Sequence, residues 1–116
     1  MSTTRTEKID LLTQAALRVG EVESDESSSV YAQSAAHLAW YELLGTMKEE
    51  ELPDLVGAVL QGLDGPTGGN PAKRTSQDLV GDIRDALRGG YHDTYIENRC
   101  QQYQRHMTGL REYGLI

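Results

Sequence analysis

Ile96, Cys100, Tyr103, Met107 and Leu110 recur at steps of four, three, four and three near the C-terminus. That spacing places all five on one face of a helix of about five turns and makes a heptad-type apolar seam. A seam of this kind has to dock on another surface, either elsewhere in the chain or on a second copy. The chain is therefore expected to fold around helix–helix contacts, with a long amphipathic helix closing the sequence.

The remaining segments carry the same period. Thr4 followed by Glu7 fits the spacing of a capping box, and Ile9, Leu12, Ala16 and Val19 form a stripe behind it, flanked by Leu11 and Ala15. Gly20 is the expected stop of this first helix. Residues 21–29 then read as a polar acidic loop, with Ser28 or Ser29 as the cap of a second helix over roughly 30–47. Its apolar stripe is Ala32, Ala36, Ala39, Leu43 and Met47, with Trp40 and Leu44 beside it. Leu52-Pro53-Asp54 opens a short third helix, because proline suits a first helical position and an acid suits the positive end. The run from Gly62 to Ala72 is the strongest breaker in the chain. Beyond it Thr75 and Asp78 predict a cap, Leu79, Val80, Ile83 and Leu87 a fourth helix, and Gly89-Gly90 its end. No alternation of period two is present. The expected fold is all-α: one domain over 1–116, a compact bundle of four to five helices joined by short turns that favour antiparallel neighbours.

At 116 residues such a bundle can hold one core without staples. Phe is missing, so that core must rest on Leu, Val, Ile and Ala, with one Trp and six Tyr. A lone Cys makes no internal disulfide, no stretch has signal-peptide or membrane-span character, and a cytoplasmic setting is expected. The net charge is −7 and unevenly placed. Residues 19–72 hold ten acids and one base; residues 73–116 hold seven bases and six acids. This asymmetry bears on partners and association rates.

No His has Glu three residues before it, so the di-metal carboxylate pattern of helical bundles is missing. The acids from Glu21 to Glu26 lack the glycine and the terminal glutamate of a calcium loop. Cys100 and His106 project about 120° apart on one helix and form no dyad there. Gly65 to Thr75 resembles a phosphate cradle only superficially, because Ala72 stands before Lys73 and Arg74 separates Lys73 from Thr75. Lys73 and Arg74 at a helix start could still hold an anion. No catalytic set, metal site or cofactor is expected.

Recognition is thus the leading reading: a non-catalytic interaction module or inhibitor that meets a basic partner protein, such as a nucleic-acid-handling one, through an acidic face. Glu21, Glu23, Asp25, Glu26, Glu49, Glu50 and Glu51 would supply the charge, and Tyr91 and Tyr95 an aromatic patch with long residence. A second reading is nucleic-acid binding through Arg99, Gln101, Gln102, Gln104, Arg105 and His106 of the last helix, although a net negative chain gives little counter-ion release to drive it. A third is a small-ligand or enzymatic role for the 62–75 loop with His92. No membrane partner is expected, and a homodimer through the C-terminal helix is the alternative use of the seam.

Overall fold

The computed structural model describes residues 4–65 and 69–114. Residues 66–68 of the expected 62–72 loop, together with residues 1–3 and 115–116, lie outside them. Five α-helices are present among the described residues: α1 (Arg5–Ser24), α2 (Val30–Gly45), α3 (Leu52–Leu63), α4 (Pro71–Gly89) and α5 (His92–Glu112), with a 3-10 turn at Glu49–Glu51 before α3. There is no strand among them, and the all-α bundle expected from the periodicity is what forms.

Local signals fix most of the boundaries. Thr4 caps α1, its Oγ1 accepting from the Glu7 N–H at 3.2 Å. Ser29 caps α2 by accepting from the Ala32 N–H at 3.0 Å. Pro53 lies in the first turn of α3. Gly90 ends α4 in the left-handed region at φ 76°, a conformation glycine adopts without a Cβ penalty.

Three expectations are corrected. The first is the stop at Gly20: α1 runs on to Ser24. Gly20 is buried, and a Cβ there would sit 2.2 Å from the Ala72 carbonyl oxygen and 2.4 Å from Ser76 Oγ. The glycine serves a close helix–helix approach rather than a cap, and the acidic loop shrinks to residues 25–29. The second is the start of α4. Asn70 takes the cap, its Oδ1 accepting from the Ala72 and Lys73 amides at 3.0 and 3.4 Å, and Pro71 follows as the first helical residue. Thr75 is therefore inside the helix, and the two amides nearest Lys73 are already bonded by Asn70. The third is the buried face of α2. Ala36, Trp40, Tyr41 and Leu44 point inward while Ala39 is exposed, so the face is turned by about one residue from the expected stripe.

Leu12, Ala16, Val19 and Val22 of α1 meet Leu55, Val56, Val59 and Leu63 of α3 and Leu79, Val80 and Ile83 of α4 in one core, with Trp40 and Leu44 of α2. Trp40 is fully buried, and its Nε1 finds no acceptor among the described residues. Ser76, also fully buried, is satisfied: its Oγ donates to the Ala16 carbonyl at 2.8 Å. The α5 seam docks within the chain, on α2. Ile96 and Leu110 are buried and Cys100, Tyr103 and Met107 half-buried, so the face that a dimer would need is already covered in good part. No described helix is long and apolar enough to cross a membrane.

Candidate functional site

The seven acids expected to make one face fall into two groups. α1 spans 20 residues, which puts its ends about 30 Å apart. Glu21, Glu23, Asp25 and Glu26 lie at its C-terminal end. Glu49, Glu50 and Glu51 lie at the other, where Lys8 Nζ holds Glu51 at 2.9 Å. Several of these charges are also locally matched. Arg18 faces Glu21 at 3.7 Å, Glu23 bonds His37, and Glu49 meets His92 Nε2 at 3.2 Å. Asp25 accepts from the Ser27 amide and hydroxyl at 2.9 and 2.6 Å, contacts that hold its carboxyl below the ordinary range. The hydrogen bond from Lys8 does the same for Glu51, and that from Arg5 does so for Asp54. Glu26 and Glu50 stay exposed.

A tighter negative surface forms where the half-chain charge count did not point. Asp78, Asp82 and Asp85 lie one turn apart along α4, and Asp64 joins them from the end of α3. Together with Leu60, Gln77 and Arg84 they line a groove of about 500 Å³. Gln77 closes one end by donating to the Leu63 carbonyl at 2.6 Å. Burial pushes the Asp82 carboxyl above its ordinary value, and repulsion from Asp85 and Asp78 adds to it. Among the described residues Arg84 pairs with its neighbour Asp85, at 3.3 Å. The i, i+4, i+7 spacing of the three aspartates was visible in the sequence, and it is the signal that marks this face.

The second concave surface runs along the antiparallel α2–α5 contact and encloses about 620 Å³. Ser34 Oγ lies 2.6 Å from His106 Nδ1, and His37 Nε2 bonds Glu23. The His37 ring stacks on Tyr103 with centroids 4.8 Å apart, and Tyr103 stacks on Tyr41 at 6.0 Å. Burial raises the hydroxyls of both Tyr41 and Tyr103, so these phenols stay neutral. Two imidazoles are thus oriented in one groove, but no acylating set is assembled. The carboxylate orients His37, whereas the serine bonds His106, and Ser34 is only 3% exposed. None of these pairings leaves a sequence signal, since Ser34 and His106 are 72 positions apart.

Tyr91 and Tyr95 sit at the start of α5. Tyr91 is half exposed; Tyr95 is drawn inward, edge-on to Tyr41 at 6.3 Å. The Arg99 guanidinium covers the Tyr95 ring at 5.1 Å and donates to Gln102 at 3.3 Å. Arg105 donates to Gln101 at 3.3 Å. Arg99 and Arg105 are thus engaged with their own helix. The Cys100 thiol is raised by burial and by Glu42, which favours the neutral form. Against known protein families, characterised proteins and solved structures, the chain matches none.

Proposed function

We propose that the protein is a non-catalytic interaction module, of the inhibitor type, that binds a basic partner protein. The α3–α4 groove is the centre of the contact, and recognition rather than turnover is its task in a reducing, cytoplasmic setting. The observation that carries this reading is the Asp64, Asp78, Asp82 and Asp85 cluster, within which the Asp82 carboxyl is held above its ordinary value. Burial and like charge make ionisation of Asp82 less favourable than that of an isolated aspartate. A partner Lys or Arg entering the groove would relieve that repulsion, so the cluster favours the bound state. Glu26 and Glu50, exposed elsewhere on the bundle, add long-range steering. In this reading Tyr91, half exposed at the start of α5, supplies an apolar contact outside the groove.

The test is titration with a fluorescent arginine-rich peptide, read by anisotropy. Affinity is expected to fall at least tenfold from 50 to 500 mM salt, as the screening length shortens from roughly 14 to 4 Å. Replacing Asp78, Asp82 and Asp85 together with Asn is expected to weaken binding at least tenfold at low salt, and the same treatment of Glu21 and Glu26 to weaken it less. Binding that ignores salt, or a triple variant that binds like the parent, would overturn the proposal.

A further inference from the structure

The 3-10 turn Glu49–Glu51 passes the first turn of α5, and there a different set of groups converges. His92 Nε2 lies 3.2 Å from a carboxylate oxygen of Glu49 and 3.4 Å from one of Asp93. All three donor atoms lie within 4.8 Å of one another. The imidazole is anchored, its side chain 12% exposed, while the two carboxylates are 66% and 76% exposed. This nitrogen stands almost equally far from two carboxylate oxygens borne by different elements, so one donor position is shared between two acceptors.

We infer that Glu49, His92 and Asp93 form a binding site for a divalent transition-metal ion of the zinc class. Two distances fit that reading. A cation held at about 2.0–2.1 Å in a tetrahedral shell sets neighbouring donor atoms about 3.3–3.4 Å apart. The Nε2–oxygen separations of 3.2 and 3.4 Å are those edges. The gap between the two carboxylates closes by side-chain rotation, because both are exposed. Chemistry narrows the cation. One imidazole with two carboxylates suits zinc, cobalt or nickel better than calcium or magnesium, which take oxygen donors. The remaining position faces a groove of about 400 Å³, also lined by Glu97 and Cys100. Cys100 is not counted among the ligands, since its sulfur is not one of the converging donor atoms.

One feature sets the strength. With a metal on Nε2 the proton must sit on Nδ1, which is buried without an acceptor among the described residues. Metal-bound histidines are normally supported by such an acceptor, and its absence costs about 10–100-fold in affinity. Binding weaker than at a fully supported histidine site follows. Once bound, the ion fastens the 3-10 turn, and through it α3, to the start of α5.

Isothermal titration with Zn²⁺ is expected to give one ion per chain, and Co²⁺ absorption to report a low-coordinate site. His92→Gln should weaken binding at least tenfold, and Glu49→Gln and Asp93→Asn each about tenfold. Asp78→Asn with Asp82→Asn, in the other acidic groove, should change neither stoichiometry nor affinity. Melting in EDTA checks that His92→Gln folds; if it does not, the two exposed carboxylate variants decide alone. No saturable binding up to millimolar Zn²⁺, or parental affinity in the folded triad variants, would overturn the site. An equal loss in the α4 aspartate control would also overturn it, by showing diffuse attraction to acidic surface.

Discussion

The two sides of the bundle are held together differently. Where α1 meets α3 and α4, the contact is dry: Leu12, Val19, Val56, Val59, Val80 and Ile83 are all at most 1% exposed, and the one buried hydroxyl, Ser76, is bonded to Ala16. Where α2 meets α5, half-buried Cys100, Tyr103 and Met107 share the seam with Ser34, His37 and His106. Apolar burial contributes roughly 25 cal/mol per Å² removed from water. A polar contact exchanges one set of hydrogen bonds for another and contributes about 1 kcal/mol net. The dry side therefore carries most of the stability. The wet side holds its groups in fixed orientations around an open groove and should be the first to loosen.

The sharpest way to break this contrast is Gly20→Ala. Helix propensity alone favours alanine by about 1 kcal/mol. The packing argues the other way, because the new Cβ would fall 2.2 Å from a backbone carbonyl on α4 that has no flexible end to yield. The expected outcome is a net loss of about 2–3 kcal/mol in urea unfolding, the upper range for overpacking. An unchanged or raised midpoint would mean that the α1–α4 contact is looser than described here, and the dry side would lose its claim to dominate.

Gly20 also marks what one sequence can disclose. Its neighbours in sequence fit a helix stop, and the reason it is not one lies 52 and 56 positions away, at Ala72 and Ser76. The caps at Thr4 and Ser29, the turn at Gly90 and the α5 seam were legible because each depends on residues within one or two turns. The buried face of α2 was read one residue off. Evenly spaced alanines suggested a stripe, but a Trp40 side chain needs far more space than an alanine and takes the inward position. At the start of α4 two caps competed, and Asn70 followed by Pro71 prevailed over Thr75 by offering both an acceptor and a preset φ. Among candidate sites, the α4 aspartates were readable from their spacing, although counting charge by half-chain averaged them against nearby arginines. The pairings Ser34–His106 and Glu49–His92 exist only through the fold, across 72 and 43 positions.

A milder substitution sharpens the wet side. Ser34→Ala removes the 2.6 Å contact with His106 Nδ1. His106 is exposed, so water takes over its freed nitrogen and no buried group is left unpaired. A loss of about 1 kcal/mol is expected, the ordinary worth of one hydrogen bond. Its location is more telling than its size. Amide exchange should quicken in the second half of α5 and stay unchanged in α1 and α4. Faster exchange throughout the chain would show that the two sides unfold as one unit and that the contrast has no dynamic meaning.

The smallest effect separates the two sides of the charge distribution rather than of the core. Asp82 is raised by burial and by its aspartate neighbours, so the folded state favours its protonated form. Its ionisation therefore costs stability, and this cost appears as pH rises through the raised value. Asp82→Asn should melt slightly above the parent at pH 7 and level with it near pH 3, below the ordinary aspartate value of about 3.9. Glu51 and Asp54 are lowered by Lys8 and Arg5, so their stabilising share is present above the unfolded value and fades as the solution is acidified. The corresponding amides, Glu51→Gln and Asp54→Asn, should melt slightly below the parent at pH 7 and converge with it in acid. Opposite signs at neutral pH, measured on the same scan, would separate carboxylates that brace the fold from one whose charge the fold resists. A lowered melting point for Asp82→Asn at pH 7 would instead place Asp82 with the bracing group and remove the tension on which recognition by the α3–α4 groove rests.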